Sequence, residues 1–265
     1  MIRAIWRLLT SVVLAGIIVA FYARYIEPKR LEVTELDLSS GDDPLSIAFV
    51  TDLHVGPSFS ADDLEPTIRE LERIKPDVIL FGGDYISESP RFLHDLEAPL
   101  TRMTATARFG SWGIWGNHDV ANIRSRCEPV LERCGVQMLT DTSAQVRGDL
   151  WVVGIDDVLL GKQNLTRAFS GVPDGARVIA MWHEPDVADR LVKFNPMLIL
   201  SGHTHGGQVR LPFVGALATP KLGEQYVAGQ FDVDGIPLYV SRGIGMYRPP
   251  VRFNCRPELT VLRVD

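Results

Sequence analysis

Short apolar runs alternate with amphipathic stretches along most of the chain from residue 45 to residue 203. The runs have the length of buried strands, and the stretches between them place apolar residues at helical spacing. We predict strands at 45–52, 77–84, 112–115, 136–139, 151–155, 177–183 and 196–203. We predict helices at 63–75, 91–105, 120–133 and 186–193. This alternation predicts an α/β fold that begins with a βαβ unit.

Beyond residue 207 the helical spacing ends, and short strands with Gly- and Pro-rich loops are predicted instead. The 265 residues are enough for one sizeable domain, and the hydrophobic content of 46% can fill its core. We therefore divide the chain into an N-terminal membrane anchor with its linker at 1–30 and one α/β domain at 31–265.

The predicted anchor is the uncharged stretch LLTSVVLAGIIVAFYA between Arg7 and Arg24. It is just short of the roughly 17–25 residues of a membrane-spanning helix, but the flanking arginines and Trp6 and Tyr25 suit the lipid interface. A cleaved signal peptide is the alternative, although the bulky Phe21 stands where cleavage favours a small residue. We expect a single-pass anchor in a bacterial inner membrane, with its orientation open because the flanking basic residues are nearly balanced.

Charge and cysteine content narrow the classes of function. The formal net charge of −6 provides no general basic surface, so binding of nucleic acid through its phosphates is not expected. The three cysteines are odd in number and form no CxxC pair, so neither a disulfide framework nor a zinc–thiolate site is indicated. We expect Cys127, Cys134 and Cys255 to be ordinary buried thiols.

Five of the predicted strands end in a compact polar cluster. The clusters are TDLHVG at 51–56, GGDY at 82–85, GNHD at 116–119, WHEP at 182–185 and SGHTHGG at 201–207. Because the carboxyl ends of neighbouring strands share one edge of a sheet, these clusters can converge into one site. They contain five of the six histidines, and the sixth, His94, lies in a predicted helix and is expected to be structural.

The first two clusters combine carboxylates with an imidazole. Asp52 and His54 can share a site only if the chain turns there, which Gly56 and Pro57 favour. Such a pair suits manganese, iron, zinc or nickel better than magnesium or calcium, which prefer oxygen ligands. Asp84 follows two glycines, which allow a ligand to approach, and its carboxylate can bridge two ions. A strand-end cap or a turn residue is the alternative for each.

The GNHD and GHTHGG motifs are more specific. Asn117 offers an amide oxygen to a cation, His118 can reach a substrate, and Asp119 can orient that imidazole. A helix N-cap by Asn117 or Asp119 is the alternative. His203 and His205 alternate through a glycine-rich turn and can reach two adjacent ions.

His183 in WHEP also follows a buried strand, and it completes a joint pattern. Seven potential ligands fall at five strand ends, which leaves His118 as a free acid or proton donor. The seven are Asp52, His54, Asp84, Asn117, His183, His203 and His205. Together they predict a two-metal hydrolytic site.

The order D-x-H, G-D, G-N-H-D, H and G-H-x-H resembles the calcineurin-like metallophosphoesterase superfamily over residues 45–265. The apolar N-terminus, GHTHGGQVRLP and RFNCRPELTVLRV resemble a bacterial membrane-associated branch of broad phosphodiesterases and UDP-2,3-diacylglucosamine pyrophosphatases. The resemblance implies a four-layer αββα sandwich with the metals at the strand ends.

The resemblance also implies roles for the site residues. The implied ligands are Asp52, His54 and His205 for one ion, Asn117, His183 and His203 for the other, and Asp84 as the bridge. The implied enzyme is a phosphoric ester hydrolase with two divalent ions, manganese first among the candidates, that share an attacking hydroxide. His118, with Asp119 as its partner, would assist the leaving oxygen.

Departures from the superfamily's motifs bear on the substrate. The Ser/Thr phosphatases continue the aspartate motif with Asp-Arg-Gly, where this chain reads GGDYISES, and no arginine set for a phosphate monoester is identifiable. We therefore favour diesters or diphosphates, including lipid-linked or nucleotide-diphosphate substrates such as UDP-2,3-diacylglucosamine.

Two further features bear on how such a substrate would be bound. The loop VRLPFVGALATPKLG either meets acyl chains or packs on the sheet edge, and Arg242, Arg248 and Arg252 either pair with phosphate or form surface salt bridges. The alternative function is a non-catalytic interaction protein that keeps the fold. Such a protein would have replaced ligands, which is not the case here.

Overall fold

The computed structural model describes residues 2–39, 41, 44–87, 89–120 and 124–265. It begins with helix α1 (Ile2–Phe21), in which no residue is buried. This helix is long and apolar enough to cross a membrane. The chain continues through a π-helical turn at Tyr22–Ile26 and a 3₁₀ turn at Glu27–Lys29, where Ala23 and Glu27 become buried. The predicted domain boundary at residue 30 stays a prediction.

Two six-stranded sheets form the centre of the domain. The strands are β1 (Glu32–Asp37), β2 (Leu45–Val50), β3 (Val78–Phe81), β4 (Gly110–Gly113), β5 (Val136–Met138), β6 (Thr142–Arg147), β7 (Leu150–Gly154), β8 (Arg177–Met181), β9 (Leu198–Ser201), β10 (Arg210–Leu211), β11 (Gly215–Ala216), β12 (Gly229–Val233), β13 (Ile236–Val240) and β14 (Glu258–Val264). The first sheet has the order β1-β14-β2-β3-β4-β5, and the second has the order β12-β13-β9-β8-β7-β6. Strands β10 and β11 form a separate two-stranded hairpin.

Helices cover the outer face of each sheet. The helices of the described residues are α2 (Glu65–Ile74), α3 (Leu93–Thr104), α4 (Asn117–Val120), α5 (Arg124–Arg133) and α6 (Leu165–Phe169), with 3₁₀ helices at Ala61–Leu64, Pro90–Phe92, Pro185–Phe194 and His205–Gly207. Of these, α4 and the 3₁₀ helix His205–Gly207 follow strand ends and do not belong to the outer layers. Helices α2, α3 and α5 bury apolar side chains against the first sheet. Helix α6 and the segment Pro185–Phe194 do the same on the second sheet.

The inner faces of the two sheets share one apolar core. Phe49 and Leu80 of the first sheet and Met181 and Leu200 of the second belong to it, and each is 0–1% exposed. The adjacent residues on the same strands point outward into the helical layers, because side chains alternate between the faces of a sheet. The predicted four-layer αββα sandwich is confirmed.

The observed elements differ from the predicted ones at informative places. Strand β1 precedes the first predicted strand and pairs in parallel with β14, and neither β1 nor β6 was predicted. The helix predicted at 186–193 is a 3₁₀ helix, and part of the helix predicted at 120–133 lies outside the described residues. Strands β2 and β3 end before their polar clusters, and β9 ends at the first residue of its cluster, so the site residues lie in turns.

Candidate dinuclear metal centre

The five polar clusters meet where the two sheets share one edge. Those after β2, β3 and β4 come from the first sheet, and those after β8 and β9 come from the second. Three groups of side chains hold their potential ligand atoms within 4.8 Å of one another. The groups are Asp52–His54–His205, His54–Asp84–His118 and Asp52–Asp84–His183. The fold thus brings donors from both sheets into one small volume.

Asp84 lies at the middle of this volume. Its Oδ2 atom is 3.1 Å from His54 Nε2 and 3.3 Å from His183 Nε2. Its Oδ1 atom accepts a hydrogen bond of 2.9 Å from the backbone N–H of His118. Burial alone would raise the pKa of Asp84, but the imidazoles of His183 and His54 hold it well below its usual range. Asp84 is therefore a carboxylate in contact with both halves of the site.

Asp52 connects the two sheets at the same place. Both of its carboxylate oxygens accept a hydrogen bond of 3.1 Å from the backbone N–H of His203. Its Oδ1 atom is 3.6 Å from His205 Nε2 and 4.0 Å from His183 Nε2. The carboxylate is completely buried and faces imidazoles from the second sheet.

Hydrogen bonds on the outer side of three imidazoles fix their orientation. His54 Nδ1 is 2.9 Å from Ser87 Oγ, and His183 Nδ1 is 2.7 Å from the carbonyl oxygen of Gly82. His203 Nε2 is 2.9 Å from the carbonyl oxygen of Lys221. A nitrogen bound in this way leaves the other ring nitrogen available to a metal ion, as is usual for metal-ligating histidines.

The protonation states differ among the rings. Burial lowers the pKa of His203 and of His205, which favours the neutral imidazole that metal ions bind. Burial also acts to lower the pKa of His183, but the facing carboxylate of Asp84 raises it well above its usual range. A cation at the centre would replace a proton in balancing this negative charge.

Three polar atoms of the cluster provide a test of whether a cation fits. Asn117 Oδ1, His183 Nε2 and His205 Nδ1 are buried without a hydrogen-bond partner in the described part of the chain. Leaving such an atom unpaired costs about 1–3 kcal/mol, and a bound ion would remove that cost. Two carboxylates, four imidazoles and an amide oxygen form a mixed donor set that suits a borderline divalent ion. The residues present therefore fit a metal centre.

The backbone at the site is held in an uncommon conformation. Five of the seven predicted ligands have a positive φ, between 44° and 69°. They are Asp52, His54, Asp84, His203 and His205. Residues other than glycine rarely occupy this region, at a cost of about 1–3 kcal/mol each. These conformations end the strands early and turn the side chains towards one centre.

Two motif glycines allow the loops to touch the carboxylates. A Cβ atom at Gly116 would lie 2.1 Å from Asp84 Oδ1, and one at Gly202 would lie 2.4 Å from Asp52 Oδ2. Both distances are far inside van der Waals contact, and neither carboxylate can move away from the cluster. The glycines of the GNHD and GHTHGG motifs are therefore required by close packing.

The site opens into a cavity of about 300 Å³ that His118 and Tyr247 line. The ring centroids of these two residues are 4.5 Å apart, and that of Tyr247 is 5.5 Å from His54. Gln208 fixes the segment 247–249 that carries Tyr247. Its Oε1 accepts from the Tyr247 N–H at 2.8 Å, and its Nε2 donates to the Pro249 carbonyl at 2.8 Å. Neither Tyr247 nor Gln208 was predicted. The position of Gln208 directly after GHTHGG was the available signal.

Asp119 occupies a different place from the one predicted beside the His118 ring. Its carboxylate accepts hydrogen bonds from the backbone N–H groups of Asp84 at 2.7 Å, Tyr85 at 3.0 Å and Gly116 at 3.1 Å. Burial, together with the charge of Asp84, raises the pKa of Asp119 to about 7. Asp119 thus joins the loop after β3 to the loop after β4.

The three arginines considered for phosphate binding also differ in place. Arg252 is completely buried and donates to the backbone carbonyl oxygens of Arg242, Gly243, Gly245 and Cys255. Arg242 pairs with Glu258 at 2.6 Å and with Glu32 at 3.5 Å. Arg248 alone among the three lines the cavity of the metal centre.

Comparison with known proteins agrees with this geometry. The family model described as calcineurin-like phosphoesterase matches residues 45–207. The uncharacterized metallophosphoesterase YkuE of Bacillus subtilis is 35% identical over 251 residues, which cover 91% of this chain and 87% of YkuE. The phosphodiesterase YaeI of Escherichia coli is 29% identical over 265 residues, with 92% of each chain covered.

Among solved structures, a dimetal phosphatase from Danio rerio superposes with a TM-score of 0.51 at 12% identity. The match covers 84% of this chain and all of that one, and it supports the fold. Fold and site together define a metal-dependent phosphoesterase. Within that class, the chain belongs to the calcineurin-like phosphoesterase family. Enzymes of this family use two divalent metal ions, for which the clustered side chains form a candidate site.

Proposed function

We propose that the chain hydrolyses a phosphodiester or diphosphate, and that the apolar walls of its cavity carry this conclusion. A phosphate monoester has one organic substituent, whereas a diester has two. Ala218, Pro220 and Pro249 give the cavity apolar walls that suit the organic groups on both sides of a diester.

We infer that seven side chains hold the two metal ions. They are Asp52, His54 and His205 for one ion, Asn117, His183 and His203 for the other, and Asp84 between them. The support for Asp84 as the bridge is its contact with both His54 and His183. When bound, the two ions supply Lewis-acid stabilisation of the phosphoryl oxygens and a water of lowered pKa. Manganese is our first candidate, and iron, zinc and nickel are the other ions that a mixed set of nitrogen and oxygen donors suits.

His118 is our candidate for the group that assists the leaving oxygen. Its backbone N–H donates to Asp84, and its ring contacts those of His54 and Tyr247 on the cavity wall. A ring N–H in this place can donate a hydrogen bond or a proton to the departing oxygen. The ring also lies within 4.8 Å of the ligand atoms of His54 and Asp84, so its role must be separated from metal binding.

The test uses the purified full chain in detergent, with manganese and bis-p-nitrophenyl phosphate. We expect turnover that chelation abolishes and that exceeds turnover of p-nitrophenyl phosphate. His118→Asn should lower kcat by about 10²–10⁴-fold and retain both ions. His94→Asn is the matched control, because His94 is exposed on α3 and should leave kcat unchanged. Chelator-resistant turnover, or loss of an ion in His118→Asn, would contradict the assignment.

We further propose an amphiphilic substrate and a membrane location, supported by the apolar, unburied helix α1. A diphosphate between a nucleoside and an acylated sugar, as in UDP-2,3-diacylglucosamine, meets both conditions. Full-length protein should hydrolyse that compound with a higher kcat/KM than UDP-glucose, which has the same diphosphate but no acyl chains. Equal values for the two compounds would show that acyl chains are not recognised.

A further inference from the structure

The β10–β11 hairpin presents an apolar tip to solvent. Phe213 is fully exposed, and the nearby Val214 and Leu211 are 67% and 39% exposed. Single exposed apolar side chains are ordinary on protein surfaces, but a contiguous group at the tip of one hairpin indicates contact with an apolar partner. Phe213 also has a φ of 66°, so a strained backbone holds it at the tip.

The base of this hairpin is joined to the end of helix α1 through the segment 252–255. On one side, the Arg252 N–H donates to the carbonyl oxygen of Ala23 at 2.9 Å, and the Cys255 N–H donates to the Glu27 carboxylate. On the other side, the Arg210 N–H donates to the carbonyl oxygen of Phe253 at 2.9 Å. The hairpin and the end of the helix are therefore parts of one hydrogen-bonded unit.

A cavity of about 460 Å³ shows how close the two elements lie. Tyr22 and Glu27 from the end of the helix line it together with Pro212 from the hairpin. When α1 lies in a bilayer, its C-terminal end and the hairpin therefore face the same membrane surface. Arg24 and Tyr25 at the end of the helix are residue types that favour the lipid interface.

The other end of the hairpin leads into the metal centre. Strand β11 is followed by Ala218, Thr219 and Pro220, which line the cavity that contains His118. The apolar tip and the opening of the catalytic cavity are thus connected by a few residues of continuous chain.

We infer that the β10–β11 hairpin is a second membrane contact. Its tip inserts Leu211, Phe213 and Val214 into the leaflet at which the C-terminal end of α1 emerges. The contact places the catalytic cavity at the lipid surface, so that an amphiphile can reach the metal centre without leaving the bilayer. This inference rests on α1 as the proposed membrane anchor, whereas the hairpin can be tested separately from both the anchor and the catalytic activity.

The experiment measures which environment surrounds the tip. Full-length protein with Val214→Cys is labelled with an environment-sensitive fluorophore and reconstituted into phosphatidylethanolamine–phosphatidylglycerol vesicles. The three native cysteines are buried, so the introduced thiol is the one that reacts. Emission is then quenched either by lipids that carry a nitroxide near the headgroup or by iodide in the water.

Two further labelled variants calibrate the result. Leu14→Cys lies at the middle of α1, and its label reports whether the helix itself is in lipid. Asp174→Cys is exposed in the turn before β8, at the opposite end of the sheet from the metal centre, and its label should be open to iodide. Failure of the Leu14 label to reach lipid would contradict the proposed anchor and would be visible separately from the Val214 result.

Interfacial apolar segments lie about 5–10 Å deep, so we expect nitroxide lipid to lower Val214 emission about twofold, with protection from iodide. Iodide quenching as strong as at Asp174 would place the tip in water and overturn the inference. Protection from both quenchers would place protein over the tip, for instance a second copy of the chain, and would also overturn it.

Discussion

Two clusters of buried polar side chains in this protein differ in how completely their charges and hydrogen-bonding atoms are paired. The metal centre crowds carboxylates and imidazoles together and leaves three polar atoms without a hydrogen-bond partner among the described residues. The second cluster, which we name the C-terminal charge cluster, consists of Tyr239, Arg242, Arg252 and Glu258. Here Glu258 accepts hydrogen bonds from the side chains of Tyr239 and Arg242. Arg252 donates to the carbonyl oxygens of Arg242, Gly245 and Cys255.

The difference separates a binding site from a structural support. Buried charge is tolerable when hydrogen bonds and opposite charge complete it, as they do in the C-terminal charge cluster. Burial opposes ionisation of Glu258, but Arg242 lowers its pKa, so that the pair stays ionised. In the metal centre, by contrast, some of the described polar atoms lack such partners, and bound cations would supply the missing interactions. The two clusters should therefore respond to different perturbations.

The largest effect is expected for Asp84→Asn. An amide cannot bridge two ions as a carboxylate does, so metal content and rate should fall together. Loss of an outer-shell partner typically costs about 10–100-fold, and we expect loss of this central ligand to exceed that range. Metal analysis and kcat measure the effect, with the exposed Asp174→Asn as the control. Retention of two ions would show that Asp84 is not the bridge.

Metal removal is expected to have the next largest effect, on thermal stability. An ion bound at about 1,000 times its dissociation constant adds about 4 kcal/mol. Since about 1 kcal/mol corresponds to ~2–4 °C in a chain of comparable size, chelation should lower Tm by about 10 °C. Calorimetry with and without chelator measures the difference. An unchanged Tm would mean that the metal-free site is no less stable than the metal-bound one, as expected for a cluster whose polar atoms are already paired.

Arg252→Met should affect stability but not metal content. The apolar side chain leaves several buried carbonyl oxygens unpaired, which should reduce the free energy of unfolding by about 3 kcal/mol. Arg252→Lys keeps the charge but loses the fork of donors, so we expect a smaller reduction. Urea unfolding gives the free energy, and metal analysis gives the control. If Arg252→Met lost metal but kept its stability, the C-terminal charge cluster would support metal binding and not the fold, which would contradict the prediction.

The smallest effect concerns the acid dependence of Glu258. Because its pKa is lower in the folded state, its ionisation stabilises the fold above the unfolded pKa of about 4.3, and this contribution is lost as pH falls through the folded pKa. Glu258→Gln should cost about 1 kcal/mol at neutral pH. The difference in unfolding free energy between wild type and variant should narrow as the pH falls below the unfolded pKa of about 4.3. A difference in unfolding free energy that stays the same at every pH would show that Glu258→Gln acts through packing and not through loss of charge.

The sequence predicted the metal centre better than its surroundings, for a physical reason. The seven ligands follow apolar strands and stand in glycine-containing motifs, so periodicity and residue chemistry indicate them together. Ser87 and Tyr247 contribute through contacts with His54 and His118 that exist only after folding. Nothing in their local sequence separates them from ordinary loop residues.

The same reason explains the differences in the fold. Strand β1 has only partly buried or exposed side chains, and its pairing with β14 joins residues more than two hundred positions apart. Asp119 follows His118 directly, but its hydrogen bonds go to a loop more than thirty residues earlier. Short-range patterns identified the helix–strand alternation, whereas partners distant in sequence decided these details.

The left-handed backbone at five ligand positions has a consequence for protein engineering. Glycine adopts this conformation without strain, so replacing His205 by glycine would remove both the strain and a buried, unpaired ring nitrogen. A library selected only for thermal tolerance in the presence of a chelator would therefore be enriched in glycine at position 205, at the expense of turnover. Directed evolution of this enzyme for heat resistance needs metal in the selection medium.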